Sequence, residues 1–583
     1  MSEHAITREV VVRVLREIAA LLELRGESAY RIRAYETAAQ RMAQVDGDLH
    51  RMAREGRLEA LPGIGPKLAA RVTELLETGR SAYLEELRRD LPPGILDLVR
   101  VPGLGPKKAI ALWEAIGVGD LEGLRAAVER GAVGKVPGFG PKAEAKLREA
   151  LATHRDEPET GEQKRLLGES LVALEAIAAS LRERGATHAE VAGDVRRACE
   201  EVMDAVLVAA AADPQSLLED AATLPGVVKV TANTNHNDDL SVRARLFEPD
   251  LTLDLRIVDP SSFGAALLDG TGSAAHVAHL RARAEARGLT LTSDGLYREA
   301  KRLPESADER ALYRALGLPF IPPELRDRET PEADAPFDDL LAMEDVKGLV
   351  HSHSTWSDGK AELAEMARAA RARGFTWMTV TEHSQTASYA GGLKPDDLKR
   401  QWEEIDRLNE ELRPFRLLKG IESDILRDGA LDYPEEILEQ FEVVVGSIHN
   451  RYGLDEAETT ARLLRALQNP WISILGHTTG RLIQRRPPVA VRMDEVLSAA
   501  AEYGVTVEIN GSPHRLDLSA DHAALALKKG VKLVVSADSH SVREIDNVRY
   551  AVLTARRAGV RRSQVLNTLG ASQFLAGLAR GRR

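Results

Sequence analysis

Cysteine is nearly absent: Cys199 is the single one in 583 residues. No intramolecular disulfide can form, and nothing asks for an oxidising compartment. Cys199 reads as a packing residue. Long apolar runs are absent too, and about twenty such residues would be needed to span a membrane. The first residues mix acids and arginines with apolar positions and lack a signal-peptide core. Aromatics make up only 4%, yet the 44% apolar and 29% charged content are those of a soluble globular chain. That excludes a wholly disordered or fibrous chain. Net positive charge is also lacking: 78 Lys and Arg against 90 Asp and Glu leave −12. Taken alone, this argues weakly against a nucleic-acid partner.

The length suits about three or four domains. Two polar, proline-bearing stretches look like joints, His154 to Lys164 and Pro322 to Asp339. The part before the first is helical by apolar spacing and holds a phrase three times: LPGIGPK from Leu61, VPGLGPK from Val101 and VPGFGPK from Val136. Each copy pairs two glycines (Gly63 and Gly65, Gly103 and Gly105, Gly138 and Gly140) and places Lys67, Lys107 or Lys142 where a helix opens. Glycine lets a phosphate approach the backbone amides, and the helix start adds a positive dipole end. A glycine turn in a bundle is the bland alternative, and the repetition with lysine at one offset argues against it. The third copy is weaker, because Glu144 and Glu149 offset Lys146 and Arg148.

The C-terminal part has another rhythm. Strand-like runs alternate with helical stretches: GLVHSHS, WMTVTEHS, RLLKGIESD, VVVGSIHN, SILGHTT, VTVEINGS and KLVVSADSH. This suggests a parallel sheet closed as a barrel or nearly so. Most runs end in a metal-binding residue type: His351, His353, His383, Glu422, His449, His477, Asp538 and His540, with Asp358 in the first loop. Strand C-termini of such a barrel meet at one face, where catalytic groups gather. Nine imidazoles and carboxylates exceed the needs of one four-coordinate ion, so two or three divalent ions are expected, manganese or zinc with iron as a further option. Clustered ions favour phosphoester hydrolysis.

In order, HSHS, Asp358, EHS, IESD, GSIHN, GHTT and SADSH resemble the motifs of the PHP (polymerase and histidinol phosphatase) family. The resemblance implies a distorted (β/α)7 barrel, metal binding by the nine matching residues, and substrate contacts from Asn510 and Arg515. His514 between them reads as surface or packing. The glycine phrases resemble helix-hairpin-helix motifs, which hold DNA backbone without reading sequence. Gly193-Asp-Val-Arg-Arg197, Asp204, Asp254 in LTLDLR and GTGS from Gly270 resemble a family X DNA polymerase palm.

The whole order resembles a bacterial family X DNA polymerase with a C-terminal PHP domain. It implies a multidomain α and α/β chain: a small helical DNA-binding domain (1–90), a fingers-like domain with two hairpins (91–155), a nucleotidyltransferase-like palm (165–262), a thumb-like part (263–325), a linker (326–344) and the PHP barrel (345–583). The palm departs from its family. The second carboxylate of Asp-x-Asp is Val206, which cannot coordinate a cation, and Asp194 stands where triphosphate oxygens are expected, a repulsive contact. Arg197 remains as a phosphate binder. Little templated synthesis is expected, and magnesium or manganese enters the palm only if synthesis survives there, for example through Glu200 or Glu201. The lyase lysine of some relatives is Arg71 here, which is no amine nucleophile. His276 and His279 read as structural.

The expected partner is therefore DNA, gapped, single-stranded or 3′-ended, with no membrane, for a monomeric cytoplasmic protein working at the nucleoid. The expected activity is a 3′-5′ exonuclease. The rivals are an active gap-filling polymerase, a small-molecule phosphatase and an idle DNA-binding scaffold. Local charge supports DNA: residues 51–117 hold 11 basic against 9 acidic side chains, and residues 541–583 hold 9 arginines against 2 acids, +7.

Overall fold

The structure, a computed structural model, describes residues 8–44, 49–61, 63–89, 91–92, 94–99, 101, 104–153, 164–219, 221–236, 239–246, 249–328, 331–450 and 453–578. Most of the first expected joint, residues 154–163, lies outside them, as does Gly103. The chain forms two compact units, Met1–Phe320 and Ile321–Arg583.

The first unit opens with helices whose apolar faces merge. Val11, Leu15 and Leu22 of helix Arg8–Leu24 share one core with Leu104, Leu112 and Leu151. The stretches 1–90 and 91–155 thus bury their apolar residues together. In each glycine phrase the residue between the glycines is the anchor: Ile64, Leu104 and Phe139 are all buried. Gly63 (φ +87°) and Gly138 (φ +86°) sit in the left-handed region, which accounts for these two glycines. Proline then starts each helix, Pro66–Thr78, Pro106–Ile116 and Pro141–Thr153.

A five-stranded sheet follows. Strands His188–Ala192, Ala205–Ala210 and Leu251–Val258 lie side by side, with Asp239–Leu246 and Val227–His236 beyond. Strand Ala205–Ala210 runs parallel to Leu251–Val258, with Val206 opposite Asp254. Helix Phe263–Thr271 covers one face through Phe263, Ala266 and Leu267. In the thumb-like part His276 is buried and hydrogen-bonds the Tyr313 hydroxyl at 2.7 Å, a structural role.

In the second unit seven parallel strands close into a barrel in sequence order, as the alternating runs predict. The seam pairs Gly348–Ser352 with Leu533–Ser539. Strand starts such as Trp377, Val443 and Val534 gather around Phe574 of the last helix, Ala571–Gly577, and fill that end of the barrel. The opposite end, at the strand C-termini, is left for the polar residues.

The stretch expected to be a linker is packed onto this unit. Leu325, Arg326 and Leu341 are buried. The Arg326 guanidinium donates from Nε and Nη2 to the Ile321 carbonyl, both at 3.1 Å. Asp327 and Asp339 of the stretch, with Glu324 and Asp345 flanking it, meet arginines near the C-terminus: Glu324 with Arg556 (2.6 Å), Asp327 with Arg557 (2.7 Å), Asp339 with Arg561, and Asp345 with Arg562 (3.4 Å). Each pair contributes only about 0.2–1 kcal/mol, against about 1.5–3 for a buried leucine. Apolar burial therefore holds the stretch, and the pairs set where it lies. Among the described residues no helix is long and apolar enough to cross a membrane.

Candidate metal centre

At the seam the register slips between Val350 and Ser352, and two non-glycine residues adopt left-handed backbone, His351 (φ +63°) and Asp538 (φ +50°). Such strain persists only where surroundings hold it, and it gathers at functional sites. Here it brings His351 Nε2 to 3.6 Å from Asp538 Oδ1. The other strand ends add their side chains to the same place.

All nine residues expected as ligands converge there. They form four overlapping groups whose ligand atoms lie within 4.8 Å of one another. One is His353, Asp358, His383 and His540; the second is His351, His353 and Asp538; the third is His351, Glu422 and His477; the fourth is His383, Glu422 and His449. Glu422 is the hub. Its Oε1 lies 2.9 Å from His477 Nε2, 3.1 Å from His449 Nε2 and 3.2 Å from His351 Nε2, and its Oε2 lies 2.9 Å from His383 Nδ1. Asp358 Oδ1 reaches His540 at 3.4 Å and His383 at 3.5 Å.

This donor set fits cations. Despite these close approaches, buried His351 Nε2, both His353 ring nitrogens, His383 Nδ1, His477 Nδ1 and Glu422 Oε2 make no hydrogen bond of proper geometry. Buried polar atoms in such numbers would be costly without a ligand. Burial, with His540 and His383 beside it, pushes His353 down to about 3, which leaves a neutral imidazole able to coordinate. Burial opposes charge on His383, but Glu422 and Asp358 outweigh it and lift the ring to about 10. Burial likewise works against the Glu422 carboxylate, and His449, His351 and His383 overcome it, holding the group well below the usual carboxylate range.

Two carboxylates that sequence reasoning missed stand behind the cluster. Glu508 Oε1 lies 2.6 Å from His351 Nδ1, and its Oε2 accepts the His477 backbone N–H at 2.6 Å. Asp424 Oδ1 lies 2.6 Å from His449 Nδ1. Each turns the other ring nitrogen towards Glu422. Glu382, beside His383, is buried and accepts from the Ser354 N–H at 3.0 Å; burial outweighs its hydrogen bonds from Ser354 and Ser357 and raises it to about 7.

The two residues expected to contact substrate differ. Arg515 Nε stands 3.5 Å from Asp538 Oδ2, and its side chain keeps 19% exposure. Asn510 is buried, and its amide donates to Asp538 Oδ2 at 3.1 Å while accepting from the Ser512 N–H at 2.9 Å. Asn510 thus holds Asp538 in place. The His514 carbonyl accepts from the Ile483 N–H at 2.7 Å and fastens a neighbouring loop.

In the palm Asp194 Oδ2 accepts the N–H groups of Met203 (2.9 Å) and Asp204 (2.8 Å), and its Oδ1 pairs with Arg197. Arg197, expected as a phosphate binder, is buried and also donates to the Thr271 carbonyl. Val206 is buried among Ala192, Val208 and Phe263. Asp254 pairs with Arg256 at 3.0 Å, and Arg256 also pairs with Asp269 at 2.9 Å. Burial first, then the charge of Asp194, raises Asp204. Glu201 pairs with Lys164 at 3.1 Å.

At the hairpins Gly63, Gly65, Gly105 and Gly138 are exposed and Gly140 half-buried; Lys67 and Lys107 are exposed, and the Lys142 side chain lies outside the described residues. Gly65 and Gly105 have φ of −85° and −75°, which any residue adopts. A Cβ there, or at Gly140, would meet nothing within 4 Å. Fold geometry explains Gly63 and Gly138 and leaves Gly65, Gly105 and Gly140 open to a ligand's approach. Arg71 stacks on Tyr83, its guanidinium carbon 3.4 Å from the ring centroid.

Hairpins, palm and thumb before a metal-ready parallel barrel define a class, the family X polymerase architecture with a PHP domain. Residues 7–81 match a helix-hairpin-helix domain, 95–153 a SAM-like helix-hairpin-helix tandem, 266–327 the DNA polymerase beta thumb and 350–512 the PHP domain. A Bacillus subtilis protein named DNA polymerase/3′-5′ exonuclease PolX is 34% identical over 565 residues, covering 96% of each chain. The chain belongs to the PolX family. A probable phosphatase of Thermoanaerobacter is 30% identical over 236 residues, 37% of this chain and 89% of its own. Another from Clostridium acetobutylicum is 35% identical over 153 residues, 24% of this chain and 60% of its own.

Proposed function

We propose that the barrel cluster is a metal-dependent phosphodiesterase that removes nucleotides from DNA ends, 3′ to 5′. The observation that carries this reading is the convergence of nine donors from separate strand ends, several of them buried without a partner. The nine would hold two or three manganese or zinc ions. Bound ions would polarise phosphoryl oxygens, furnish a nucleophile near neutral pH and steady the departing 3′-oxygen. Glu508 and Asp424 keep His351 and His449 turned inward, and Asn510 steadies Asp538. Arg515, beside Asp538 and partly exposed, is the residue that takes a phosphate oxygen of the strand. The name of the Bacillus subtilis relative supports the exonuclease reading. The phosphatase relatives support phosphate-ester chemistry, but they parallel only 24–37% of the chain. A small substrate would leave the hairpins without a task, so DNA is the substrate class.

The palm is a weak or inactive polymerase in this reading. Val206 offers no ligand, Arg197 is engaged with Asp194, and Arg256 occupies Asp254 and Asp269. The rival, residual gap filling, draws on the relative's name. One experiment addresses both. Purified protein and the His351→Ala and Asp538→Ala variants are incubated with labelled gapped DNA, manganese or magnesium, and nucleotides. Shortening by the wild type that both variants lose is the expected result. Full shortening in both variants overturns the metal-site reading, and robust lengthening that depends on Asp254 overturns the reading of the palm.

A further inference from the structure

Tyr389 is the most exposed large apolar side chain among the described residues of the barrel unit, at 70%, in a chain with few aromatics. It does not sit on a loose loop. The segment leaves the barrel at His383 and returns there: the Leu393 N–H donates to the His383 carbonyl at 2.9 Å, and Gly392 and Ala390 N–H groups both donate to the Ala387 carbonyl. Ala387, Ala390 and Leu393 are buried and pin the segment down. Gly391 turns in left-handed backbone (φ +69°), and a Cβ on Gly392 would lie 1.9 Å from the Ser384 carbonyl oxygen, so both glycines are required. Ser388–Ala390 form one short helical turn at the tip, holding Tyr389 outward.

That turn stands at the rim of the donor cluster. The Tyr389 ring centroid is 6.4 Å from that of His383, inclined at 52°. A Cβ on Gly391 would lie 3.5 Å from the Ser357 carbonyl oxygen, next to Asp358. A ring 70% exposed on a braced turn offers a face to a flat partner. Stacking on a nucleobase needs only a π-face, so it tolerates any base. We infer that Tyr389 is a stacking platform for the base of the nucleotide whose phosphate rests on the cluster. This rests on reading the cluster as a phosphate-ester site, and it specifies a nucleotide as the substrate unit. Tyr389 is not a catalytic residue here; it holds substrate.

The test is calorimetric titration of the manganese-loaded full chain with dAMP and with 2-deoxyribose 5-phosphate. The two ligands share the phosphate and sugar and differ by the base. The wild type should bind dAMP about tenfold to a hundredfold more tightly. Tyr389→Ala should bring that ratio close to one, while Tyr389→Phe and Tyr389→Trp retain it. Equal affinity for both ligands in the wild type, or a preference that survives Tyr389→Ala, overturns the platform. A protein that prefers dAMP through Tyr389 yet leaves DNA strands intact supports the platform and sinks the exonuclease reading. Strand shortening without the preference does the reverse.

Discussion

A metal-ligating imidazole has one nitrogen for the ion and one that must be told where to point. His351 and His449 receive that instruction from Glu508 and Asp424, each at 2.6 Å from Nδ1. Both carboxylates are buried, so their hydrogen bonds are shielded from water. Glu508→Gln keeps the shape and removes the charge. It should lower metal affinity about 10–100-fold, measured by titrating metal into stripped protein. Nuclease activity should fall at limiting manganese and recover at high manganese, which a purely structural lesion would not allow. Unchanged affinity would remove the positioning role. Neither residue was legible beforehand. The letters of IESD and VEIN are visible, but nothing in local spacing says that Glu508 will reach a histidine 157 positions away, or Asp424 one 25 away. The partners of Asp194 are hidden for the same reason: a turn brings backbone N–H groups and Arg197 to it.

At the scale of elements, the glycine phrases separate two physical demands that sequence alone merges. Gly63 is required by its backbone, φ +87°, and by Thr37, whose methyl would lie 3.1 Å from a Cβ. Gly65 is required by neither. Gly63→Ala should therefore destabilise the first unit by about 1 kcal/mol or more, seen as a lower midpoint in urea. Gly65→Ala should leave that midpoint in place and weaken DNA binding, because a methyl group then stands between phosphate and amides. A stable Gly65→Ala that binds DNA as well as the wild type would return the phrase to a plain turn. These elements were legible because their signals are local: repeated glycines, a proline at the helix start, ligand types at strand ends. The seam bulge at His351 and Asp538 was not, since register between the first and last strands is set only when the barrel closes. The packed stretch after Ile321 was hidden likewise, as its polar composition reads as linker until Leu325 and Leu341 are seen buried.

For the whole molecule the balance of −12 must be reconciled with a DNA partner. Asp358, Glu422 and Asp538 would face bound cations, which formal counting omits. The excess of +7 after Ser541, read from sequence as support for DNA binding, weakens as an argument: Arg556, Arg557, Arg561 and Arg562 face acids of the preceding stretch. The proposed grip is then the hairpins, where Lys67 and Lys107 are exposed beside open glycines. Each lysine that neutralises a phosphate steepens the fall of affinity with salt by a little under one unit of the log–log slope. The double variant Lys67→Ala/Lys107→Ala should weaken DNA binding across sequences and flatten that slope by about one to two units. Arg557→Ala should break the pair with Asp327, cost at most about 1 kcal/mol of stability, and leave the slope alone. Chelation of metal should stop strand shortening while DNA retention in the same assay persists. The opposite pattern, a flattened slope in Arg557→Ala and none in the double lysine variant, would move the DNA surface from the hairpins to the C-terminal arginines.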